Sequence, residues 1–234
     1  MIQIPPDVKA EMHKDHAGAR RSPIFPERGL IFVVIWKNAS ASLRSVIADV
    51  SNGQKLTGLG FEDHARTKVM TIPRASISAC SNCTTIAIVR HPLDRFMSCY
   101  WDKSKNKIWC KRNKRPTGES LNTWIDWVCA ESDTNLDPHL RTQNWFLTSN
   151  GKHINADLIR FEGLPDTALE VLKRHNFADY FYRSHVGRNR AKQKERARWQ
   201  SLTYRQVRRL TKRYAVDFRR FDYRLPVTLE ATDA

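Results

Sequence analysis

The stretch Leu30-Ile-Phe-Val-Val-Ile-Trp36-Lys-Asn-Ala-Ser40 decides the predicted fold. Its first seven residues are continuously apolar, which is typical of a strand that is buried on both faces of a sheet. A short polar turn follows, and apolar residues then recur at helical spacing at Leu43, Val46, Ile47 and Val50. The stretch therefore predicts a strand, a tight turn and a helix in succession.

A second stretch repeats that order of elements. Thr84–Val89 is an apolar run with high strand propensity, Arg90 and His91 end it, and Pro92 suits the first position of a helix. Further patterns predict a helix after Ser120, a strand over 157–161, a helix over 166–173, and a helix from the capping box Thr203-Tyr-Arg-Gln206 to about Tyr214. Because strands alternate with helices, we predict an α/β fold in which helices flank a central parallel sheet on both faces.

The chain of 234 residues is long enough for one large α/β domain. Residues 1–28 are polar and contain several prolines, so we predict an irregular N-terminal arm over 1–28 and a single domain over 29–234. The longest apolar run, Leu30–Trp36, falls far short of the ~20 residues that a membrane-spanning helix needs. Residues 1–21 lack the pattern of a secretory signal, and we therefore expect a cytoplasmic protein.

Charge is the strongest feature of the composition. The formal net charge is +16, and the excess of lysine and arginine is concentrated in the stretches 103–115 and 183–224. Such surfaces attract polyanions: nucleic acid, an anionic lipid surface in peripheral contact, an acidic glycan or a nucleotide. A basic module that binds polyanions or nucleic acid is therefore a competing function, although the basic residues match no helix-turn-helix, RNA-recognition motif or zinc finger.

The cysteines number five, an odd count that favours free thiols in a chain without a secretory signal. Cys80 and Cys83 form a C-x-x-C pair, but no second pair of cysteines or histidines follows at the spacing of a zinc site. We therefore expect no metal site and interpret the pair as part of a loop or of the core.

The two strand-to-helix turns contain the candidate site, because ligands of parallel α/β sheets bind beyond the carboxyl ends of the strands. Lys37 follows the first strand, and the N–H groups of residues 38–41 begin the next helix together with the hydroxyls of Ser40 and Ser42. Such a turn binds a phosphate-like anion through its N–H donors and the helix dipole. It lacks the glycines of G-x-x-x-x-G-K-[ST], which disfavours a nucleoside triphosphatase or a kinase of related fold. The alternative is a solvated lysine beside capping serines.

The second turn has Arg90 directly after its strand and Ser98 about two turns into the helix. An arginine fork with a nearby hydroxyl suits a second, separate phosphate. The alternative is an arginine in an ion pair and a surface serine. Two candidate anion sites on successive turns of one sheet edge are more informative than either alone.

Five segments resemble those of the sulfotransferases, in the manner of the carbohydrate sulfotransferases of the family 2 type. Trp36–Arg44 resembles their 5′-phosphosulfate loop, and Ile88–Tyr100 resembles their 3′-phosphate motif. Three later segments resemble further family motifs in the expected order: Asp137–Gln143, Leu158–Leu164 and Tyr214–Tyr223. Trp36 stands where the family usually has proline, and His91 stands where it usually has an acidic residue. The resemblance spans about residues 30–224 and implies a P-loop-like three-layer fold.

The resemblance also implies a reaction. Sulfotransferases move a sulfuryl group from 3′-phosphoadenosine-5′-phosphosulfate (PAPS) to an acceptor hydroxyl, here that of a carbohydrate, by in-line attack and with no metal required. Lys37 would then stabilise charge on the leaving phosphate. The 5′-phosphosulfate would be held by Lys37, Asn38, Ala39, Ser40, Ala41, Ser42 and Leu43, and the 3′-phosphate by Arg90 and Ser98. Relatives have a basic loop near the nucleotide where this chain has Arg188, Asn189 and Arg190, which we therefore expect to clamp it.

A hydroxyl acceptor also requires a general base, for which a neutral imidazole is well suited near neutral pH. His139 is the first candidate, because it lies in the segment that resembles the acceptor-side histidine motif of the family. His64 is the second, because some relatives have a base histidine ahead of the second phosphate strand, and Glu62 is the third. In each case the alternative is a structural or surface residue. The basic surface favours an acidic glycan as the acceptor.

Overall fold

The structure, a computed structural model, describes residues 4–15, 20–51, 68–176 and 199–224. Within these ranges the strands are β1 (His13–Asp15), β2 (Arg21–Phe25), β3 (Leu30–Val33), β4 (Val69–Pro73), β5 (Thr84–Val89), β6 (Thr148–Ser149), β7 (Lys152–His153) and β8 (Asp157–Arg160). The helices are α1 (Pro6–Ala10), α2 (Ser40–Ser51), α3 (Pro92–Lys103), α4 (Lys107–Arg112), α5 (Leu121–Ala130), α6 (Gln143–Phe146), α7 (Asp166–Arg174), α8 (Tyr204–Arg213) and α9 (Ala215–Arg220).

The described residues form two compact units. The sheet unit comprises those within Met1–Val89 and Phe146–Arg188, and it contains all of the strands named above. The helical unit comprises those within Arg90–Trp145 and Asn189–Ala234. That residues 29–234 form a single domain stays a prediction.

A six-stranded sheet with the order β1-β4-β2-β3-β5-β8 forms the centre of the sheet unit. β3, β5 and β8 are parallel, with Val33 opposite Ala87 and Val89 opposite Arg160. The remaining pairs are antiparallel. The predicted α/β fold, a helix-flanked sheet with parallel central strands, is thus confirmed. The antiparallel pairing of β1, β2 and β4 makes the sheet mixed rather than wholly parallel.

The core of the sheet unit joins the parallel strands to two helices. Phe32 of β3, Ile86 of β5 and Ile159 of β8 pack in one cluster with Val46 of α2 and Leu172 of α7. The residues that alternate with them along β3 and β5 are buried as well. Burial on both faces explains why these strands are continuously apolar in sequence.

The prediction of an irregular N-terminal arm over residues 1–28 is wrong for residues 6–10, 13–15 and 21–25, which form α1, β1 and β2. Proline normally argues against an interior strand, because it cannot donate to the ladder. β2 accommodates Pro23 by changing partners there: Arg21–Pro23 pairs with β4, whereas Ile24 and Phe25 pair with β3. The polar composition and the proline therefore conceal a strand of the main sheet.

The helical unit has a separate aromatic core. Trp124 of α5 is fully buried and stacks on Trp109 of α4, with ring centroids 5.3 Å apart. Phe96 of α3 and Leu210 of α8 belong to the same cluster. This unit is therefore stabilised by its own apolar contacts.

Three predicted helix starts in the helical unit are confirmed. α3 begins at Pro92, the Ser120 side chain accepts the N–H of Thr123 at the start of α5, and the capping box of α8 is formed in full. Among the helices of the described ranges, none combines the length and the apolar composition that crossing a bilayer requires.

Candidate active site

The turn between β3 and α2 has an unusual backbone. β3 ends at Val33, three residues earlier than the apolar run predicts, and Lys37 and Ala39 have φ angles of 70° and 53°. A left-handed conformation costs a residue other than glycine about 1–2 kcal/mol, so it persists only where the surroundings hold it. Turns with left-handed residues direct successive N–H groups into a concavity that binds anions.

Asn38 fastens this turn to the sheet. Only 1 % of Asn38 is exposed, and its Nδ2 donates to the Ile88 carbonyl of β5 at 2.7 Å. The carbonyl of Ala39 accepts the N–H of Leu43 at 2.9 Å, which begins the hydrogen bonding of α2. The turn is therefore tied to β5 on one side and to α2 on the other.

The side chains around the turn are buried or half-buried. Ser40 and Ser42 are buried, and the Arg44 guanidinium lies 4.7 Å from the ring centroid of Trp36. Burial lowers the pKa of Arg44, although a guanidinium stays charged at neutral pH. Trp36, which replaces the usual proline of the family, thus packs against a cation. The structure brings the predicted residues 37–43 together in one turn and one helix entry.

In the helical unit, Arg90 is held through its backbone. Its N–H donates to Gln143 Oε1 at 2.9 Å, and Gln143 Nε2 donates to its carbonyl at 2.8 Å. Gln143 has no exposed surface and Arg90 is 7 % exposed, so both bonds form away from water. Leaving a buried backbone group unpaired costs about 1–3 kcal/mol. The pair therefore fixes the point from which the Arg90 side chain extends.

A buried carboxylate holds the segment that contains Gln143. Asp217 of α9 accepts the backbone N–H groups of Gln143 and Asn144, each at 2.8 Å. Burial raises the pKa of Asp217 to about 6, against the two N–H donors and the charge of Arg95, which favour the ionised form. A chain of hydrogen bonds thus connects α9 to the backbone of Arg90.

Ser98 lies on α3, the helix that follows Arg90, and is buried. Arg95 of the same helix is also buried, and it donates to the carbonyls of Pro138 and Arg141 at 3.2 and 2.5 Å. The helix with Ser98 and the segment with His139 are therefore fastened to each other by one arginine.

His139 forms a close pair with Asp137. Asp137 Oδ1 lies 2.5 Å from Nδ1 of His139 and accepts its backbone N–H at 2.9 Å. Burial acts to raise the pKa of Asp137, but the hydrogen bonds and the charge of His139 outweigh it and lower that pKa overall. A carboxylate at Nδ1 accepts the Nδ1 proton, which leaves Nε2 as the nitrogen that can take up a proton.

His91, the other departure from the family pattern, is surrounded by aromatic rings. Its ring centroid lies 5.7 Å from that of Trp199, 5.4 Å from that of Phe218 and 5.6 Å from that of Tyr223. An imidazole ring packs well among aromatic rings, whereas a buried carboxylate would need polar partners. These contacts give a packing reason for histidine at this position.

Five candidate residues lie outside the described residues: His64, Glu62, Arg188, Asn189 and Arg190. Of the others, Lys37–Leu43 belong to the sheet unit, and Arg90, Ser98 and His139 belong to the helical unit.

The cysteines carry free thiols. Burial raises the pKa of Cys80 to about 11, with a further contribution from Cys83, so this thiol is neutral at physiological pH. Throughout the part of the chain that the structure describes, no three side chains of His, Cys, Asp or Glu are grouped as metal ligands.

The side chains that hold the candidate residues in place have no role that the sequence patterns predict: Gln143, Asp217, Asp137 and Arg95. All four lie in the segments that resemble sulfotransferase motifs. Asp137 has a local signal, because an aspartate two residues before a histidine can accept its backbone N–H in an Asx turn. The other three act over long separations in sequence.

The sequence model of the Sulfotransferase family matches residues 20–224. The comparison with curated proteins gives no match, and neither does the comparison with solved structures. The family match begins before β2 and ends after α9, and it includes every candidate residue named above.

Proposed function

Because the chain belongs to the sulfotransferase family, whose members transfer sulfuryl groups, we propose that it uses PAPS as the donor and a carbohydrate hydroxyl as the acceptor. The observation that carries the proposal is the turn between β3 and α2, where Lys37 and Ala39 adopt left-handed conformations at a helix entry. Backbone strain of this kind is concentrated at ligand-binding and catalytic sites.

The turn suits the 5′-phosphosulfate of the donor, which supplies the activated sulfuryl group when bound. The N–H groups of residues 38–43 and the hydroxyls of Ser40 and Ser42 are the hydrogen-bond donors, and the first turn of α2 contains no acidic residue that would repel an anion. Lys37 stabilises the negative charge that grows on the leaving phosphate oxygen.

Arg90 and Ser98 bind the 3′-phosphate in this proposal. The backbone pair with Gln143 presets the origin of the Arg90 side chain, so less conformational freedom is lost on binding. A guanidinium and a hydroxyl together suit a phosphate through charge and directed hydrogen bonds. Arg188 and Arg190 complete the clamp on the nucleotide.

His139 is the proposed general base, with Asp137 as the residue that orients it. The 2.5 Å contact between Asp137 and Nδ1 leaves Nε2 to take the proton of the acceptor hydroxyl as in-line attack proceeds. His64 stays the second candidate and Glu62 the third. The net charge of +16 favours an acidic or already sulfated glycan as the acceptor.

Donor binding is tested by thermal unfolding with adenosine 3′,5′-bisphosphate, the desulfated product. This ligand should raise the melting temperature through linkage, whereas ATP, which lacks the 3′-phosphate, should raise it much less. A larger shift with ATP would overturn the donor assignment. Sulfate transfer from labelled PAPS to a panel of sugars then identifies the acceptor class.

Three variants test the proposed roles in that transfer assay, each against a control on an exposed residue of the same type. Lys37→Ala should lose nearly all transfer, while Lys68→Ala retains it. Arg90→Ala should raise the KM for PAPS, while Arg205→Ala leaves it unchanged. His139→Gln should lower kcat more than donor affinity, while His153→Gln has no effect. Normal turnover of Lys37→Ala would remove Lys37 from catalysis. An unchanged KM of Arg90→Ala for PAPS would remove Arg90 from donor binding, and full activity of His139→Gln would remove His139 as the general base.

A further inference from the structure

A strongly basic surface of the helical unit is not used by the proposed reaction. It consists of five exposed cationic residues on and around α4, which we call the basic platform: Lys105, Lys107, Lys111, Arg112 and Lys114. Two nearby carboxylates are engaged elsewhere, because Asp102 pairs with Lys103 at 3.0 Å and Glu119 pairs with Arg115 at 2.6 Å. Among the described residues, no carboxylate forms an ion pair with the platform.

Apolar side chains project from the same region. Ile108, which follows Lys107 on α4, is 75 % exposed, and Trp101 near the end of α3 is 45 % exposed. The apolar packing of α4 is supplied by Trp109 and Cys110, which are buried. Ile108 is therefore not needed for the core, and a partner that covered it would remove apolar surface from water.

The platform is built on a well-fixed backbone. The side chain of Asn106 caps α4 by accepting the N–H of Trp109 at 2.9 Å. The Cys110 thiol donates to the carbonyl of Lys103 at 3.3 Å, so α4 lies against the end of α3. Together with the stacking of Trp109 on Trp124, these contacts fix the backbone from which the cations and Ile108 extend.

We propose that the basic platform binds the surface of an anionic lipid membrane, with Ile108 and Trp101 entering the interface between headgroups and acyl chains. Lysine and arginine bind lipid phosphates and carboxylates, and tryptophan is favoured at the membrane interface. The aliphatic Ile108 decides between partners, because its side chain can form no hydrogen bond with the sulfates and hydroxyls of a glycan or with a nucleic-acid backbone. The platform contains no residue of the proposed donor and base sites, so this proposal is independent of the proposed function.

The test is co-sedimentation of the full chain with vesicles of phosphatidylcholine and phosphatidylserine, and with vesicles of phosphatidylcholine alone. We expect binding only to the anionic vesicles, and weaker binding at high salt. Each basic residue near such a surface contributes about fivefold in affinity. Replacing Lys105, Lys107, Lys111 and Lys114 together by glutamine should therefore weaken binding by about tenfold or more, even after screening.

A matched control removes the same charge from the other unit. Lys9, Lys14, Lys152 and Lys173 are exposed lysines of the sheet unit, and their joint replacement by glutamine should change vesicle binding by less than about twofold. Equal losses in the two quadruple variants would show attraction by net charge alone and would overturn the proposal.

Ile108→Ser separates membrane binding from binding of other polyanions. It should weaken vesicle binding several-fold and leave retention on a sulfated polysaccharide column and on RNA unchanged. Unaltered vesicle binding of Ile108→Ser, or binding to the polysaccharide or RNA without binding to vesicles, would overturn the proposal. Transfer of sulfate to a soluble acceptor should be normal in every platform variant, so the outcome does not depend on that activity.

Discussion

Gln143→Glu is the substitution that tests the backbone clamp on Arg90 most directly. The side chain keeps its size, and one oxygen can still accept the Arg90 N–H, which now lies 2.9 Å from Oε1. The other oxygen replaces Nε2, which donates to the Arg90 carbonyl at 2.8 Å. An ionised carboxylate therefore faces that carbonyl with no proton to donate, whereas a protonated carboxyl restores both hydrogen bonds.

The size of the effect follows from the need to keep the introduced carboxyl neutral. A glutamate side chain has a pKa of about 4.3 in the unfolded chain, so holding it protonated at pH 7 costs about 4 kcal/mol of unfolding free energy. At pH 5 the same requirement costs only about 1 kcal/mol. These values are upper limits, because the folded protein adopts the cheaper of the ionised and neutral forms.

Urea unfolding of the full chain at pH 5 and pH 7, followed by tryptophan fluorescence, measures both losses relative to the unsubstituted protein at the same pH. Gln143→Met is the control: it abolishes both bonds without titrating, and should lose about 2–6 kcal/mol equally at the two pH values. The proposed clamp of Gln143 on the Arg90 backbone would be refuted if Gln143→Glu lost no unfolding free energy at pH 7, or if its loss did not decrease at pH 5. The affinity of Gln143→Glu for adenosine 3′,5′-bisphosphate, relative to the unsubstituted protein, should recover at pH 5 together with its stability.

Two further predictions concern a titrating group and the strained turn. The pKa of Asp217 in the folded protein is about 6, above its ordinary value of 3.8, so between these pH values the folded state holds a proton that the unfolded state has lost. Protonation of Asp217 therefore stabilises the folded state by about 3 kcal/mol below pH 4, and this contribution is lost as the pH rises through 6. The unfolding free energy of Asp217→Asn, measured with urea across this pH range, should lack that decline. The same decline in the variant and the parent would contradict the raised pKa of Asp217. Ala39→Gly should stay within about 0.5 kcal/mol of the parent in stability, because relief of its positive φ offsets the entropy of glycine. Ala48→Gly inside α2 should lose about 1 kcal/mol or more, and equal losses would argue against strain at Ala39.

Local signals accounted for the parallel part of the sheet and for most helix starts. The apolar runs at Leu30 and Thr84 and the capping residues at Ser120 and Thr203 act within a few residues, so the sequence displays them directly. The sequence does not indicate β2, because its pairing depends on β4, some fifty residues away in sequence, and because Pro23 argues against a strand. Its place in the sheet is a tertiary property.

The candidate site also combines residues that local sequence patterns indicate with contacts that they do not. Lys37, Arg90 and Ser98 could be singled out because a strand end and a helix start are visible in sequence. The hydrogen bonds that fix the Arg90 backbone could not be predicted, since Gln143 is 53 residues from Arg90 and Asp217 is 74 residues from Gln143. Side chains so far apart in the chain meet only through the packing of α3, α6 and α9, which no local pattern encodes.

The turn at Lys37 shows why the rule that positive φ requires glycine fails here. Lys37 and Ala39 adopt left-handed conformations at a cost of about 1–2 kcal/mol each. The buried bond from Asn38 to Ile88 and the bond from Leu43 to Ala39 offset part of that cost, because breaking either would leave a backbone carbonyl without that partner. A glycine at position 37 would relax the backbone but would remove the ammonium group next to the helix entry. Under the proposed function, the strain is retained because it keeps the Lys37 ammonium group beside the N–H groups that begin α2, and a rule based on local energy alone cannot anticipate that requirement.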